Sequence, residues 1–286
     1  MKKQKRALAI HDISCVGKCS LTVALPILSA AGIETSVLPT SILSTHTGGF
    51  SGYTFLDLTQ EIMPIADHWR SLDLAFDAIY TGYLGSASQL ELVKKLFARF
   101  GKDALILVDP VMADNGRLYD GFDADFPAGM AKLCKIADVI VPNLTEATLM
   151  LNEPYVKGPY TEEYIEGLLR RLGEAFGGKI VLTGVYFDES HLGMAYLDTA
   201  SEEIGFYIDK LIGGYYHGTG DVFASALLAG LLCDLPLKDA GKSAVKFTID
   251  AIEATDPERE PRYGVRFEAA LPGLMKRVGL LLCDKD

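Results

Sequence analysis

A glycine-rich turn that runs directly into an apolar stretch has the clearest chemical content in this sequence: Gly213-Gly214-Tyr215-Tyr216-His217-Gly218-Thr219-Gly220-Asp221, followed by Val222 to Leu232. Such a turn points backbone N–H groups and the positive end of a helix dipole at one spot, which favours an anion such as phosphate. A carboxylate there repels the anion, but it can accept a proton from an attacking hydroxyl. The alternative is that Asp221 only caps the helix. The apolar helix behind it favours a site, because a buried helix here aims its N-terminus at a polar centre.

Two further acidic residues follow short apolar strands. Asp109 ends Leu105–Val108, and Glu146 lies three residues after Asn143, which follows Val139–Val141. Ligands of open α/β sheets bind outside the carboxyl ends of strands, and Mg²⁺ binds through one or two carboxylates plus nucleotide phosphates. Asp109 and Glu146 are therefore candidate magnesium ligands. The alternatives are a turn residue for Asp109 and an acid stabilised by the helix dipole for Glu146.

The elements that position these residues alternate between apolar, β-rich runs and segments of helical periodicity, as in α/β folds. The predicted strands are Ala7–His11, Glu34–Leu38, Ala78–Thr81, Leu105–Asp109, Val139–Val141 and Ile180–Thr183. The predicted helices are Lys18–Ala31, Gln60–Asp73, Ser86–Phe100, Asp125–Ile136, Leu144–Leu151, Glu162–Phe176, Asp221–Cys233, Leu237–Thr255 and Phe267–Val278. We also predict a small β-meander, Gly193–Leu197 and Glu203–Asp209, before the last three helices. No linker or repeat divides the chain, so we expect residues 1–286 to form a single domain with a doubly wound, mostly parallel sheet.

Composition excludes several classes of protein. The formal net charge of −11 argues against nucleic acid and anionic membranes as partners, since polyphosphate binding needs clustered Lys and Arg. The basic run Lys2 to Arg6 precedes too short an apolar stretch for a signal peptide, and no apolar run reaches the ~18–20 residues that span a bilayer. An odd, sparse set of cysteines suits reduced thiols in a cytoplasmic protein. They are Cys15, Cys19, Cys134, Cys233 and Cys283.

The segment Gly17-Lys18-Cys19-Ser20 follows a strand and opens a helix, as a phosphate-binding P-loop does. A P-loop needs glycine where Asp12 stands and Ser or Thr where Cys19 stands, so the pattern fails at both positions. No G-x-G-x-x-G follows the first strand either, which removes the support for a dinucleotide fold.

Five short motifs resemble one enzyme family. Gly218-Thr219-Gly220-Asp221 resembles the G-x-G-D motif of the ribokinase-like superfamily, and four other segments resemble motifs of its pyridoxal (vitamin B6) kinases. These are Ser44-Thr45-His46-Thr47-Gly48, Thr81-Gly82-Tyr83-Leu84-Gly85-Ser86, Asp109-Pro110-Val111-Met112 and Pro142-Asn143-Leu144-Thr145-Glu146. They occur in the family's order and extend the resemblance over roughly residues 7 to 255.

The resemblance implies a three-layer α/β/α fold and ATP-dependent phosphorylation of the 5′-hydroxymethyl group of pyridoxal, pyridoxine or pyridoxamine. It implies Asp221 as the catalytic base, N–H groups of Gly218, Thr219 and Gly220 on the transferred phosphoryl group, and Mg²⁺ at Asp109 and Glu146. It places Asn143, Thr183, Gly184 and Thr219 at the nucleotide phosphates, and His46, Thr47 and Tyr83 at the vitamin. Taken alone, Thr183 also fits a strand-to-turn residue, Tyr83 a packed aromatic ring, and His46 a hydrogen bond within its loop. Such kinases are usually homodimers, and some are activated by a monovalent cation.

One segment departs from the pyridoxal kinase pattern and leaves the substrate open. His11-Asp12-Ile13-Ser14 stands where these kinases often have Gln-Ser-His, so Asp12 or Ser14 would replace the serine that binds the ring. With Gly17, the segment also resembles hydroxymethylpyrimidine kinases of the same superfamily, the second hypothesis. The third is a non-catalytic binder of a vitamer or nucleotide, against which the intact Asp221 argues.

Overall fold

A computed structural model of the chain describes residues 3–281, so Lys2 and Cys283 of the sequence analysis lie outside the described residues. The chain separates into two compact units, one formed by Met1–Ile79 with Ile212–Asp286 and the other by Tyr80–Leu211. The expectation of a single domain stays a prediction. Within residues 3–281, no helix is both long and apolar enough to cross a membrane.

Strands and helices alternate along the described residues. The strands are β1 (Arg6–Ser14), β2 (Glu34–Leu43), β3 (Phe55–Asp57), β4 (Ala78–Thr81), β5 (Leu105–Val108), β6 (Ala113–Asp114), β7 (Arg117–Leu118), β8 (Val139–Ile140), β9 (Lys179–Val185), β10 (His191–Asp198) and β11 (Glu203–Lys210). The helices are α1 (Leu21–Ala30), α2 (Thr59–Ser71), α3 (Ala87–Phe100), α4 (Phe126–Cys134), α5 (Leu144–Met150), α6 (Glu162–Phe176), α7 (Thr219–Leu232), α8 (Leu237–Glu253) and α9 (Phe267–Arg277). A 3-10 turn, Pro261–Tyr263, precedes α9.

The first unit is built on β1, whose residues Ala7 to Ile10 are fully buried. β1 pairs in parallel with β2, and β3 pairs antiparallel with β2. The β1–β2 register shifts between His11 and Ile13, so Asp12 lies at an irregularity of the strand. Such irregularities re-aim side chains and are common beside functional sites. Helix α7 is buried on nearly all sides, as its uniform apolar sequence predicts.

In the second unit the strands are ordered β11-β10-β9-β8-β5-β4. β5, β8 and β9 are parallel neighbours, whereas β9, β10 and β11 form the predicted antiparallel meander. The strands β6 and β7 form a separate hairpin. Its turn residues Asn115 and Gly116 have φ angles of 52° and 78°, the pattern of a type I′ hairpin turn.

The predicted α/β class, with a mostly parallel sheet flanked by helices, is confirmed. Several local features differ from prediction, among them the ends of β1 and β2, which extend to Ser14 and Leu43. The strand β3 and the hairpin β6–β7 lie in segments that the pattern assigns to loops. Helix α1 begins at Leu21 instead of Lys18, because Lys18 and Ser20 have φ angles of 48° and 54° that a helix cannot contain.

Candidate functional site

The glycine-rich turn forms the N-terminus of α7, as the sequence predicts. Gly218 is the N-cap residue and has a left-handed conformation, with φ 78°, that favours glycine. Thr219, Gly220 and Asp221 form the first turn, whose N–H groups have no acceptor within the helix. Val222 is the first residue to donate inside the helix, to the Gly218 carbonyl at 3.0 Å. The first turn therefore offers N–H donors and a positive dipole end to an anion.

Gly218 and Gly220 differ in their surroundings. A Cβ atom on Gly218 would lie 2.2 Å from the carbonyl oxygen of Lys18, so no side chain fits there. A Cβ atom on Gly220 would have no heavy atom within 4 Å. The backbone of Gly220 therefore borders open space at the helix N-terminus, which leaves room for a ligand.

The carboxyl group of Asp221 is held beside these N–H groups. The Ser20 N–H donates to Asp221 Oδ2 at 2.9 Å. The side chain keeps a partly exposed surface. Burial of the carboxyl among protein atoms, opposed by the Ser20 hydrogen bond and assisted by the negative charge of Asp12, raises its pKa to about 7. A carboxylate that titrates near neutral pH suits general base catalysis.

A second carboxyl group, that of Asp12, lies near Asp221 and is only 3% exposed. Ser14 donates its hydroxyl to Asp12 Oδ2 at 2.8 Å. Burial raises the pKa of Asp12, and the hydroxyl groups of Ser20 and Ser14 oppose this shift. Ser20 thus lies close to both carboxyl groups: its hydroxyl lowers the pKa of Asp12, and its N–H donates to Asp221. The candidate residues Asp12 and Ser14 lie beside the candidate base, and Ser20 is a site residue that the sequence interpretation missed.

The loop after β2 contributes His46, which is buried. Its Nδ1 accepts the Gly48 N–H at 3.1 Å, and its Nε2 lies 2.6 Å from the Arg262 carbonyl. These partners assign the hydrogen to Nε2, and burial lowers the pKa of the ring. The ring also packs against His217 with centroids 5.1 Å apart, which links the loop to the turn before α7. The side chain of Thr47 is exposed.

In the second unit, the start of α5 holds the candidate metal ligand Glu146 in a capping box with Asn143. Glu146 Oε2 accepts the Asn143 N–H at 2.9 Å, and Oε1 accepts the N–H groups of Met112 at 3.0 Å and Ala113 at 3.5 Å. Asn143 Nδ2 donates to the Ala113 carbonyl at 2.8 Å. The motif Pro142-Asn143-Leu144-Thr145-Glu146 thus fixes the backbone that leads into the hairpin β6–β7. The N-x-x-E spacing in the sequence is the signature of the capping box between Asn143 and Glu146.

Asp109 and Glu146 lie near the same buried thiol. Both carboxyl groups, together with burial, raise the pKa of Cys134. Asp109 is 6% exposed and follows β5, where its N–H donates to the Thr81 carbonyl at 3.0 Å. Burial also raises the pKa of Glu146 to about 8 against its three N–H donors. Asp109 and Glu146 supply the hard carboxylate oxygens that Mg²⁺ prefers, and its remaining ligands are commonly waters and phosphates, so these residue types fit the ion. Within residues 3–281 no cluster of three or more His, Cys, Asp or Glu side chains forms a fuller metal cage.

The remaining candidates also lie in the second unit. Thr183 donates its N–H to the Pro142 carbonyl at 2.9 Å and forms a parallel bridge with Asn143, which brings these two strand ends together. Gly184 follows with φ 75°. The ring of Tyr83 is half-buried, with its centroid 5.5 Å from that of Phe122. This contact is compatible with both interpretations of Tyr83, a packed ring and a ring that binds the vitamer, so its role stays a prediction.

Many known proteins are similar to this chain, and three of them illustrate the range. A Bacteroides thetaiotaomicron protein, assigned as a phosphomethylpyrimidine kinase and crystallised in a form with pyridoxal, is 38% identical, with a TM-score of 0.90 over 95% of this chain and 96% of that chain. Pyridoxal kinase from Lactobacillus plantarum is 32% identical, with a TM-score of 0.88 over 96% and 98% of the two chains. A hydroxymethylpyrimidine/phosphomethylpyrimidine kinase of Rhizobium meliloti is 28% identical over 262 residues, which are 87% of this chain and 91% of that protein.

These similarities confirm the resemblance to pyridoxal kinases of the ribokinase-like superfamily that the five motifs indicated. The family model for phosphomethylpyrimidine kinase matches residues 28–264, most of the chain. The match includes Asp109, Glu146 and the motif that ends at Asp221. The chain therefore belongs to the phosphomethylpyrimidine kinase family and is a phosphotransferase.

Proposed function

We propose that this protein transfers the γ-phosphoryl group of ATP to the 5′-hydroxymethyl group of a B6 vitamer: pyridoxal, pyridoxine or pyridoxamine. The observation that carries the proposal is the Asp221 carboxyl group, with a pKa of about 7, in the first turn of a helix whose N–H groups are available to an anion. The pyridoxal in the crystals of the Bacteroides protein supports the choice of substrate.

In the proposed reaction, Asp221 takes the proton of the alcohol as its oxygen attacks the γ-phosphorus. The N–H groups of Gly218, Thr219 and Gly220 stabilise the negative charge that develops on the transferred group. The hydrogen bond from the Ser20 N–H keeps the Asp221 carboxylate in place. We assign Asp12, Ser14, His46, Thr47 and Tyr83 to binding of the vitamer, and Asn143, Thr183, Gly184 and Thr219 to the nucleotide phosphates.

We assign Mg²⁺ to Asp109 and Glu146. The ion would neutralise charge on the nucleotide phosphates when bound. Because both oxygens of Glu146 already accept backbone N–H groups, its part is to fix the backbone at Met112 and Ala113 beside the ion. Asp109 is then the carboxylate that faces the ion.

Hydroxymethylpyrimidine is the alternative substrate, favoured by the Rhizobium relative and by Asp12 where pyridoxal kinases often have serine. The deciding experiment measures ADP release and the mass of the phosphorylated product with pyridoxal, pyridoxine, pyridoxamine and hydroxymethylpyrimidine. We expect the highest kcat/KM with a B6 vitamer. A higher value with hydroxymethylpyrimidine would replace the proposal with the alternative, and tight binding without ADP release from any alcohol would favour a non-catalytic binder.

The pH dependence of turnover follows from Asp221. Because the base must be deprotonated and its pKa is about 7, kcat/KM should fall about tenfold for each pH unit below that value and level off above it. Initial rates between pH 5 and 9 with saturating Mg²⁺ and ATP test this. A profile that stays flat down to pH 5 would exclude a base with this pKa.

The open space at Gly220 predicts a separation of stability from activity. Gly220→Ala should stabilise the folded protein by roughly 0.5–1 kcal/mol, because alanine is the better helix former. The new methyl group should also enter the space proposed for the phosphoryl group and lower kcat at least about tenfold. Gly218→Ala is the comparison, since its Cβ atom meets the Lys18 carbonyl and should destabilise the fold. Thermal unfolding and initial rates of both variants test the pair, and a fully active Gly220→Ala protein would contradict the assignment.

We also propose a homodimer, a cytoplasmic location and, as in some relatives, activation by a monovalent cation. Support for these comes from the pyridoxal kinase resemblance alone. Light scattering in solution tests the homodimer. Rates measured in potassium salts and in tetramethylammonium salts test the activation by a monovalent cation.

A further inference from the structure

The turn between β1 and α1, Gly17 to Ser20, has an unusual backbone. Gly17 has a φ of 111°, Lys18 of 48° and Ser20 of 54°. Ser20 has a ψ of −126°, a combination that glycine adopts far more readily than serine. Two non-glycine residues in left-handed conformations within three positions make a strained turn, which persists only where its surroundings enforce it.

The enforcing contacts come from the segment that begins α9. The Lys18 ammonium donates to Glu268 Oε2 at 2.7 Å and to the Val265 carbonyl at 3.1 Å. It also lies 5.3 Å from the ring centroid of Phe267. Gly264, which precedes α9, packs against the same turn: a Cβ atom on it would lie 2.9 Å from Lys18 Cβ. Lys18 is thus tied to α9 by charge, hydrogen bonding and packing.

The turn is also packed against the candidate catalytic helix. The Lys18 carbonyl lies where a Cβ atom of Gly218 would be, so the turn and the N-cap of α7 are in close contact. Ser20 occupies the N-cap position of α1, but its side chain makes no capping bond. Its N–H donates to Asp221 Oδ2 at 2.9 Å. The conformation of the turn therefore decides where the Asp221 carboxylate lies.

We infer that Lys18 is a positioning residue, whose ion pair with Glu268 holds the Gly17–Ser20 turn so that the Ser20 N–H stays on Asp221. The inference rests on the proposed role of Asp221 as the base. It explains why a lysine in a segment that resembles a P-loop directs its ammonium group to α9. A phosphate contact by Lys18 is the competing interpretation.

The test replaces Lys18 with Met, which keeps most of the apolar stem and removes the charge. We expect kcat to fall about tenfold or more, since small displacements of a reacting group have such effects, while KM for ATP stays unchanged. The acidic limb of the kcat/KM profile should also move to higher pH, because the Ser20 N–H bond lowers the pKa of Asp221. The other titratable groups that face Asp221 are Asp12 on β1 and the Cys19 thiol in the turn, and Lys18→Met leaves both in place.

Two further variants make the result specific. Glu268→Gln should show the same shifts to a smaller extent, because the Val265 carbonyl still binds the ammonium. Lys94→Met is the matched control, since Lys94 pairs with Glu91 at 2.6 Å on the surface of α3 and should leave rates and pH profile unchanged. If Lys18→Met does not fold, as judged by circular dichroism, Glu268→Gln decides the question.

The outcomes separate this inference from the proposed function. An unchanged kcat and pH limb in a folded Lys18→Met, or in Glu268→Gln where the first does not fold, would overturn the inference. A raised KM for ATP with an unmoved limb would overturn it in favour of a phosphate contact. The proposed function fails by a different result, full activity of Asp221→Asn, so the two are tested apart.

Discussion

Replacing Asp221 with Asn should lower kcat by about 10²–10⁴-fold, the usual contribution of a general base, with little change in nucleotide affinity. Asparagine keeps the size of the side chain and can still accept the Ser20 N–H, but it cannot take a proton from an alcohol. Steady-state kinetics and a nucleotide-binding titration measure the two effects. Asp239→Asn is the matched control, because Asp239 is the third residue of α8 as Asp221 is of α7, and it is exposed. It should leave turnover unchanged.

The same substitution should stabilise the folded protein at neutral pH. The pKa of Asp221 rises from its ordinary 3.8 to about 7, so between these values the folded state holds a proton that the unfolded state has released. The wild type therefore loses stability as pH rises from about 4 to 7, and Asn does not. At about 1.4 kcal/mol per pKa unit, and allowing for the partly exposed side chain, Asp221→Asn should gain about 2–4 kcal/mol at pH 8.

Urea unfolding at pH 8 and pH 4.5 tests this sign. The gain should be present at pH 8 and nearly absent at pH 4.5. A variant that is less stable than the wild type at pH 8 would mean that the Asp221 carboxylate is stabilised in the folded state, contrary to the proposed environment. A carboxyl group retained at a cost in stability is typical of a functional site.

Glu146→Ala should lower the free energy of unfolding by about 2–5 kcal/mol. The change leaves the N–H groups of Met112, Ala113 and Asn143 without their acceptor in a buried place, and each buried unsatisfied donor costs about 1–3 kcal/mol. Glu146→Gln should lose less, since its amide oxygen still accepts on one side while its NH₂ group faces a donor on the other. Urea unfolding of the wild type, Glu146→Gln and Glu146→Ala measures the three free energies of unfolding, which should decrease in this order.

Glu163→Ala is the control for this series, because Glu163 is an exposed acidic residue in the first turn of α6. It should change the free energy of unfolding by less than about 0.5 kcal/mol. If Glu146→Ala raised the Mg²⁺ requirement but left stability at the wild-type level, Glu146 would be a metal ligand only. We expect both a loss of stability and a raised Mg²⁺ requirement, because Glu146 is proposed to fix the backbone and to support the Mg²⁺ site.

The long, periodic elements of the fold follow from the sequence, whereas short ones do not. Helix α6 has the predicted bounds because Thr161 caps it and Gly177 ends it. The strand β3 was missed because its three residues are all exposed and carry no buried pattern. The hairpin β6–β7 has strands of two residues, but its Asn115-Gly116 turn is a known hairpin signal.

The candidate site was predictable where one local segment supplies it. The turn before α7 places Gly218 to Asp221 at a helix N-terminus, as glycine and an apolar run indicate. The contact of Ser20 with Asp221 joins residues 201 positions apart in the chain, and no local pattern reports such a contact. The left-handed conformation of Lys18 is equally invisible to propensity, because it is imposed by α9 and not by its own sequence.

The role of Asp221 as the base in phosphorylation of pyridoxal is tested most sharply by a single turnover with enzyme in excess over pyridoxal, at saturating Mg²⁺ and ATP. Wild-type protein and Asp221→Asn are quenched at intervals, and the phosphate ester of pyridoxal is quantified beside ADP. We expect equal amounts of ester and ADP within one wild-type turnover and at least about 10²-fold slower ester formation in the variant. Ester formation at the wild-type rate by Asp221→Asn, or no ester from the wild type, would contradict it.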